Sequence, residues 1–138
     1  MKDEARTDSG RGADRRRRIP VSLKDPDTLR ALIDTLADGT YVADRNGRII
    51  DANPAFLDLV GAADLTELQK HPHGELWPER ERRREFETKV AERGAVNEFE
   101  LDMRRLDGEI ITVLDTCHAH KESGEVVALY GVLLDITS

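Results

Sequence analysis

Four histidines and one cysteine are the side chains here best suited to metal or nucleophile chemistry. His71 and His73 flank Pro72, while His118 and His120 stand two apart, which puts both on one face of a strand. Two imidazoles supply two ligands, whereas a structural zinc site takes four and a catalytic one three. No Cys-x-x-Cys pair completes either set, so loop and strand-end roles are expected and no metal site. Carboxylates abound, but close pairs such as Asp3 with Glu4 or Glu98 with Glu100 read as solvated faces. The phosphate-cradling G-x-x-x-x-G-K, the zinc-binding H-E-x-x-H and the nucleophile elbow G-x-S-x-G are all missing, and no catalytic residue is expected. One acid stands apart. Asp115 interrupts the apolar run from Ile110 to Leu114 and shares a strand face with Ile111, Val113 and Cys117. Either it reaches solvent toward the strand's end, or it is buried and needs a hydrogen-bonding or cationic partner.

The elements that must position these groups are legible from turn chemistry and periodicity. Asp44-Arg45-Asn46-Gly47 separates two apolar runs, and Asn and Gly tolerate the positive φ of a tight hairpin, so Thr40 to Ala43 and Arg48 to Ala52 pair as strands. Asn53-Pro54 then opens a short helix. The Asn side chain can accept from orphan amides and Pro at the first helical position loses no needed donor. Phe56, Leu57 and Val60 fall on its buried side and Gly61 stops it. As a helix cap, Asn53 is expected to contribute about 1 kcal/mol. Upstream, Asp25-Pro26-Asp27-Thr28 starts another helix with Leu29, Leu32, Ile33 and Leu36 at helical spacing.

Mixed signals from Ala62 to Trp77 allow a helix over Ala63 to Leu68. Pro78 to Arg93 predicts a charged helix with Phe86 and Val90 one turn apart and supporting pairs Glu79 with Arg83 and Glu85 with Lys89. Asn97 to Arg105 alternates, with Phe99, Leu101 and Met103 on one side, which is a half-buried antiparallel strand. Leu106 to Glu109 turns the chain into a strand from Ile110 to His120, and Glu122-Ser123-Gly124 turns it again. From Gly124 to Thr137 apolar residues run with little alternation, predicting a last strand covered on both faces. Two strands, then helices, then three strands argue an α+β fold, a five-stranded antiparallel sheet with helices on one face and an N-terminal flanking helix.

Charge is unevenly placed. Residues 1 to 20 hold seven basic and four acidic side chains, a net of +3, so the remainder carries −10 of the overall −7. The segment has almost no apolar residues, so residues 1–24 read as a basic, disordered leader and 25–137 as the folded domain. The Arg15 to Arg18 cluster could touch an acidic partner or surface, but the acidic domain argues against general nucleic-acid binding. Cys117 has no partner for a disulfide, no apolar run approaches a membrane span of ~20 residues, and no secretory signal is visible. A cytoplasmic protein is the expectation.

The ordered motifs resemble the PAS sensory domain family. They are D-x-x-G-x-I (Asp44, Gly47, Ile49), N-P-A-F (Asn53 to Phe56), F-E-L followed by D-G (Phe99 to Leu101, Asp107-Gly108) and the closing G-V-x-x-D-I-T (Gly131 to Thr137), spread over residues 26–137. The resemblance implies a sensory and interaction module with no catalysis of its own. Its pocket would be lined by Phe56, Leu57, Trp77, Phe86, Phe99, Leu101, Met103, Asp115 and Cys117, and would hold a small organic ligand or be filled core. It implies a relay through Asp135 and Thr137 to an output domain or partner signalling protein, such as a histidine kinase of a two-component system or a diguanylate cyclase. The chain would then be a free-standing domain or the sensor part of a larger protein. A homodimer is expected, with Leu29, Leu32, Ile33 and Leu36 as the dimer face. The alternatives are a ligand-free dimerisation adaptor and a haem- or flavin-loaded redox or gas sensor. For the last, the family's covalent-flavin Cys would follow Asn53, where Pro54 stands, and its long-helix haem His finds no counterpart between Pro78 and Arg93. The cofactor is therefore unassigned, with neither of those routes expected.

Overall fold

The computed structural model describes residues 22–137. The leader expected over residues 1–24, with its arginine cluster, lies outside them but for its last three residues. Residues from Ile33 onward form one compact unit, and residues 22–32 belong to another. Helix α1 (Pro26–Thr35) is capped by Asp25, whose carboxylate accepts from the backbone N–H (2.9 Å) and hydroxyl (2.8 Å) of Thr28. None of its residues is buried.

Five strands, β1 (Gly39–Asp44), β2 (Ile49–Ala52), β3 (Ala95–Arg104), β4 (Ile110–Glu122) and β5 (Glu125–Asp135), make one antiparallel sheet in the order β2-β1-β5-β4-β3. The last strand in sequence is thus the middle one in space, bonded to β1 on one side and β4 on the other. Between β2 and β3 the chain forms α2 (Pro54–Val60), α3 (Leu65–Gln69), a 3-10 turn (His73–Leu76) and α4 (Arg80–Arg93). These cover the inner sheet face. Tyr41, Ala43, Ile49, Leu101, Met103, Ile111, Val113, Leu129 and Leu133 are buried there beneath Phe56, Val60, Leu68, Leu76, Phe86 and Val90.

The turns behave as their residues dictate. Asp44 Oδ1 accepts from the N–H groups of Asn46 (2.9 Å) and Arg48 (3.0 Å), and Gly47 takes φ +90°. Asn53 caps α2 through Phe56 N–H (2.9 Å) and does more than cap. Its Oδ1 also accepts from Thr40 N–H (2.9 Å), while its Nδ2 donates to the carbonyls of Ile33 (2.9 Å) and Asp38 (3.1 Å). It therefore joins helix, strand and the incoming loop, and a single-cap energy understates it.

Several expectations need correction. Helix α3 starts at Leu65 behind Asp64, which caps Glu67 N–H at 2.8 Å. Helix α4 starts at Arg80, because Glu79 is still extended. Glu85 does pair with Lys89 at 3.2 Å, but Arg83 turns inward rather than to the Glu79 side chain. Strand β3 begins at Ala95 and carries a bulge between Val96 and Phe99 with Glu98 at φ +51°, which interrupts the clean alternation. The largest correction concerns β5. Its unbroken apolar run predicts cover on both faces, yet Tyr130 and Leu134 are exposed on the outer side while Leu129 and Leu133 are buried on the inner one. Absence of alternation marks a strand that could be buried twice; the helices cover one side only.

Candidate functional site

A polar cluster lies inside the apolar inner face. Asp115, on β4, is 1% exposed, which overturns the reading that it reaches solvent. Its Oδ1 accepts from the hydroxyl of Tyr41 on β1 at 2.8 Å, and its Oδ2 lies 3.8 Å from Nη1 of Arg83 on α4. Tyr41 reaches Asp115 across β5, because Tyr41 and Cys117 both stand opposite Gly131. A Cβ at residue 131 would meet the Tyr41 hydroxyl at 2.8 Å and collide with the Thr116 carbonyl, so glycine is what lets the tyrosine cross. The Arg83 guanidinium rests on the faces of Trp77 (4.2 Å) and Phe86 (4.4 Å), and its Nε is 3.4 Å from Glu87 Oε2.

The pairing is imperfect. Arg83 Nε, Arg83 Nη1 and Asp115 Oδ2 are buried without a hydrogen-bond partner. Burial pushes the Asp115 carboxyl up to about 6, against the opposing pull of Arg83 and the Tyr41 hydroxyl. Burial also pushes the Cys117 thiol up to about 11 and raises Tyr41, with the neighbouring Asp115 charge adding to the rise for Tyr41. Cys117 is therefore a buried neutral thiol, poorly suited to nucleophilic chemistry.

Of the residues expected to line a pocket, Phe56, Trp77, Phe86, Phe99, Leu101, Met103, Asp115 and Cys117 are buried on this face and Leu57 is half-buried at its margin. Phe86 meets Phe99 edge-on at 5.5 Å, and Phe56 packs on Tyr41 at 5.5 Å. Sequence reasoning missed Tyr41 and Arg83. A signal for the second was present, since Arg83, Phe86 and Val90 recur at i, i+3 and i+7 and so share a helix face. Beside the cluster, a cleft of ≈ 390 Å³ opens between the β1–β2 turn, α4 and β5, walled by Phe86, Val90, Val126 and Leu129 with Arg45 and Glu87 at its rim.

At the chain's end, Ile136 N–H donates to the Thr112 carbonyl (2.9 Å) and Thr137 Oγ1 accepts from Thr112 N–H (2.8 Å). Asp135 Oδ1 accepts from Thr137 N–H at 2.8 Å. Leu29, Leu32 and Leu36 are exposed and Ile33 is half-buried. His71 pairs with Glu75, His120 pairs with Glu122, and His118 stacks on Tyr130. Among the described residues no group of three or more His, Cys, Asp or Glu side chains could hold a metal ion, and no helix is long and apolar enough to cross a membrane.

A central last strand and a sheet face covered by helices define an α+β domain built on one antiparallel sheet. The PAS fold family model matches residues 33–138, and the chain belongs to this family. PAS domains are sensory modules of signal transduction rather than catalysts. A PAS domain from Colwellia psychrerythraea is 26% identical, with a TM-score of 0.69 over 82% of this chain and 98% of that one. An RNA-binding light-oxygen-voltage receptor is 25% identical, with a TM-score of 0.70 over 86% of this chain; the chain spans only 35% of that receptor. A domain of a sensory box sensor histidine kinase/response regulator from Geobacter sulfurreducens shares the fold at 21% identity, TM-score 0.64, over 79% of this chain and 92% of that one. No curated protein matches the chain.

Proposed function

We propose that this chain is a cytoplasmic sensory and interaction module of a signalling protein. A small molecule or partner acting at the helix-covered face, between α4 and the residues Trp77, Phe99, Met103 and Asp115, shifts the sheet. Strand β5 then carries the shift through Asp135 and Thr137 to an output domain of the histidine kinase or diguanylate cyclase kind, or to a partner protein. The observation that carries this reading is the place of β5, in the middle of the sheet and bonded on both sides, so that a displacement of β1 or β4 reaches the chain's last residues. A ligand can do this only by binding two sheet arrangements with different affinity. Native mass spectrometry of protein purified from cells tests it. A retained small molecule or partner mass is expected; bare chains alone, in every preparation, overturn the reading.

A second reading, a ligand-free homodimerisation adaptor, is favoured by the exposed apolar side chains Leu29, Leu32 and Leu36 of the N-terminal stripe and Tyr130 and Leu134 of the outer sheet face. Analytical ultracentrifugation of a Leu32→Asp, Ile33→Asp variant addresses it, and unchanged monomer and dimer populations count against it.

A further inference from the structure

Side chains fill the helix-covered interior: Phe56, Phe86 and Met103 are all but fully buried. Room opens instead at the side of the domain, in the cleft of ≈ 390 Å³ between the β1–β2 turn, α4 and the start of β5. That volume falls within the roughly 300–1,000 Å³ common to small-molecule sites. Its walls are fixed. The turn is held by the two amides that donate to Asp44 Oδ1 and is backed by His73, whose ring a Cβ at residue 47 would meet at 3.3 Å. Across the cleft, Lys121 Nζ donates to the Ala91 carbonyl of α4 at 3.3 Å. A cleft formed in advance spends little ordering entropy on a ligand.

Its chemistry is divided. Phe86 and Val90 of α4 with Val126 and Leu129 of β5 make it apolar, while Arg45, Asn46 and Glu87 stand at its edge. The two charges are opposite in sign and not paired with each other: Arg45 has no ion pair among the described residues, and Glu87 meets Arg83 Nε at 3.4 Å. That contact is not a hydrogen bond, since Arg83 Nε has none, and the Glu87 side chain is 51% exposed. Glu87 can therefore turn to a cation in the cleft at the loss of a weak contact only. We propose that this cleft binds a small zwitterion with an apolar tail, the chemistry of a free α-amino acid with an aliphatic or aromatic side chain. Arg45 and Asn46 meet its carboxylate, Glu87 its ammonium, and the apolar walls its side chain. A peptide end carries one of the two charges and satisfies half of this rim. The site is separate from the interior one proposed above and stands without it. It also has a route inward. An ammonium that draws Glu87 away leaves Arg83 with Asp115 as its acidic neighbour among the described residues, and the guanidinium shifts on the Trp77 ring, over which it rests at 4.2 Å.

Amide NMR of the full chain titrated with leucine tests the site. Saturable shifts are expected around Asn46, Ala91 and Val126, with half-saturation at about 1 mM or below. Isocaproate, which lacks the ammonium, and isoamylamine, which lacks the carboxylate, are each expected to bind about tenfold more weakly, as is leucine to Glu87→Gln or Arg45→Gln, both at exposed positions. Glycine, with no tail, is expected to leave the shifts unmoved. Emission from Trp77, the single tryptophan, is expected to change in step with the shifts. The site is overturned by the absence of saturable shifts with leucine, methionine or phenylalanine at about 10 mM, by equal binding of leucine and isocaproate, or by leucine binding that survives unchanged in both variants. Shifts centred on Trp77, Phe99 and Met103 overturn it in favour of the interior, and a Trp77 emission unmoved at saturation overturns the route through Arg83.

Discussion

Strand β5 shows two faces made of the same kinds of residue and treated in opposite ways. On the inner side Leu129 and Leu133 are buried beneath helices, next to Tyr41 and the Asp115 cluster. On the outer side Tyr130 and Leu134 remain 48% and 42% exposed, with His118 stacked on the Tyr130 ring. Composition does not separate the faces; coverage does. The inner face has four helical segments to receive it and can shield even a carboxylate, whereas the outer face carries the apolar surface that a partner would need. The difference teaches that cover by the helices, rather than residue type, sets what each face of the strand does for stability and protonation.

The sharpest way to break that division is a truncation on each side. Phe86→Ala removes a ring that is fully buried against Phe99 and Arg83, and should cost about 3–5 kcal/mol in denaturant unfolding. A loss within the range of surface changes would mean that the inner face is not the core. Next comes pH. Because the folded carboxyl of Asp115 sits near 6, above its ordinary 3.8, its favourable contribution is complete below about 3.8 and is lost as pH rises through about 6. Relative to Asp115→Asn, wild-type stability should fall by about 3 kcal/mol between acid and neutral solution, read from urea midpoints at each pH; a constant difference would show that burial leaves this group unshifted.

Gly131→Ala should cost about 1–3 kcal/mol by forcing Tyr41 or the β4 backbone aside, and the near-ultraviolet tyrosine signal should change with it. The smallest effect is expected outside. Leu134→Thr should move unfolding by no more than about 0.5 kcal/mol while weakening any self-association seen by sedimentation. A large loss of monomer stability there would erase the contrast between the faces.

Local chemistry made much of the fold readable. The Asp44 to Gly47 turn, the Asn53-Pro54 helix start and the Gly61 stop all work through side chains and φ angles within a few residues of one another, and each forms as expected. The candidate site was half readable. Asp115 stood out because a carboxylate in an apolar run is conspicuous, but its partners lie 74 residues upstream on β1 and on a helix whose charged sequence looks solvated throughout. Arg83 could have been found from its spacing to Phe86 and Val90, whereas Tyr41 could not, since only the β1–β5–β4 order and the gap at Gly131 bring its hydroxyl to Asp115.

By itself, then, the sequence determined the strands, the turns, the caps and the family they resemble, because those depend on backbone sterics, periodicity and bonds between near neighbours. Which face of β5 is covered, that Asp115 is buried rather than wet, and that a tyrosine and an arginine meet it were decided by tertiary structure. They depend on which distant surfaces the sheet order places together, and a buried charge takes its chemistry from those surfaces rather than from its neighbours along the chain.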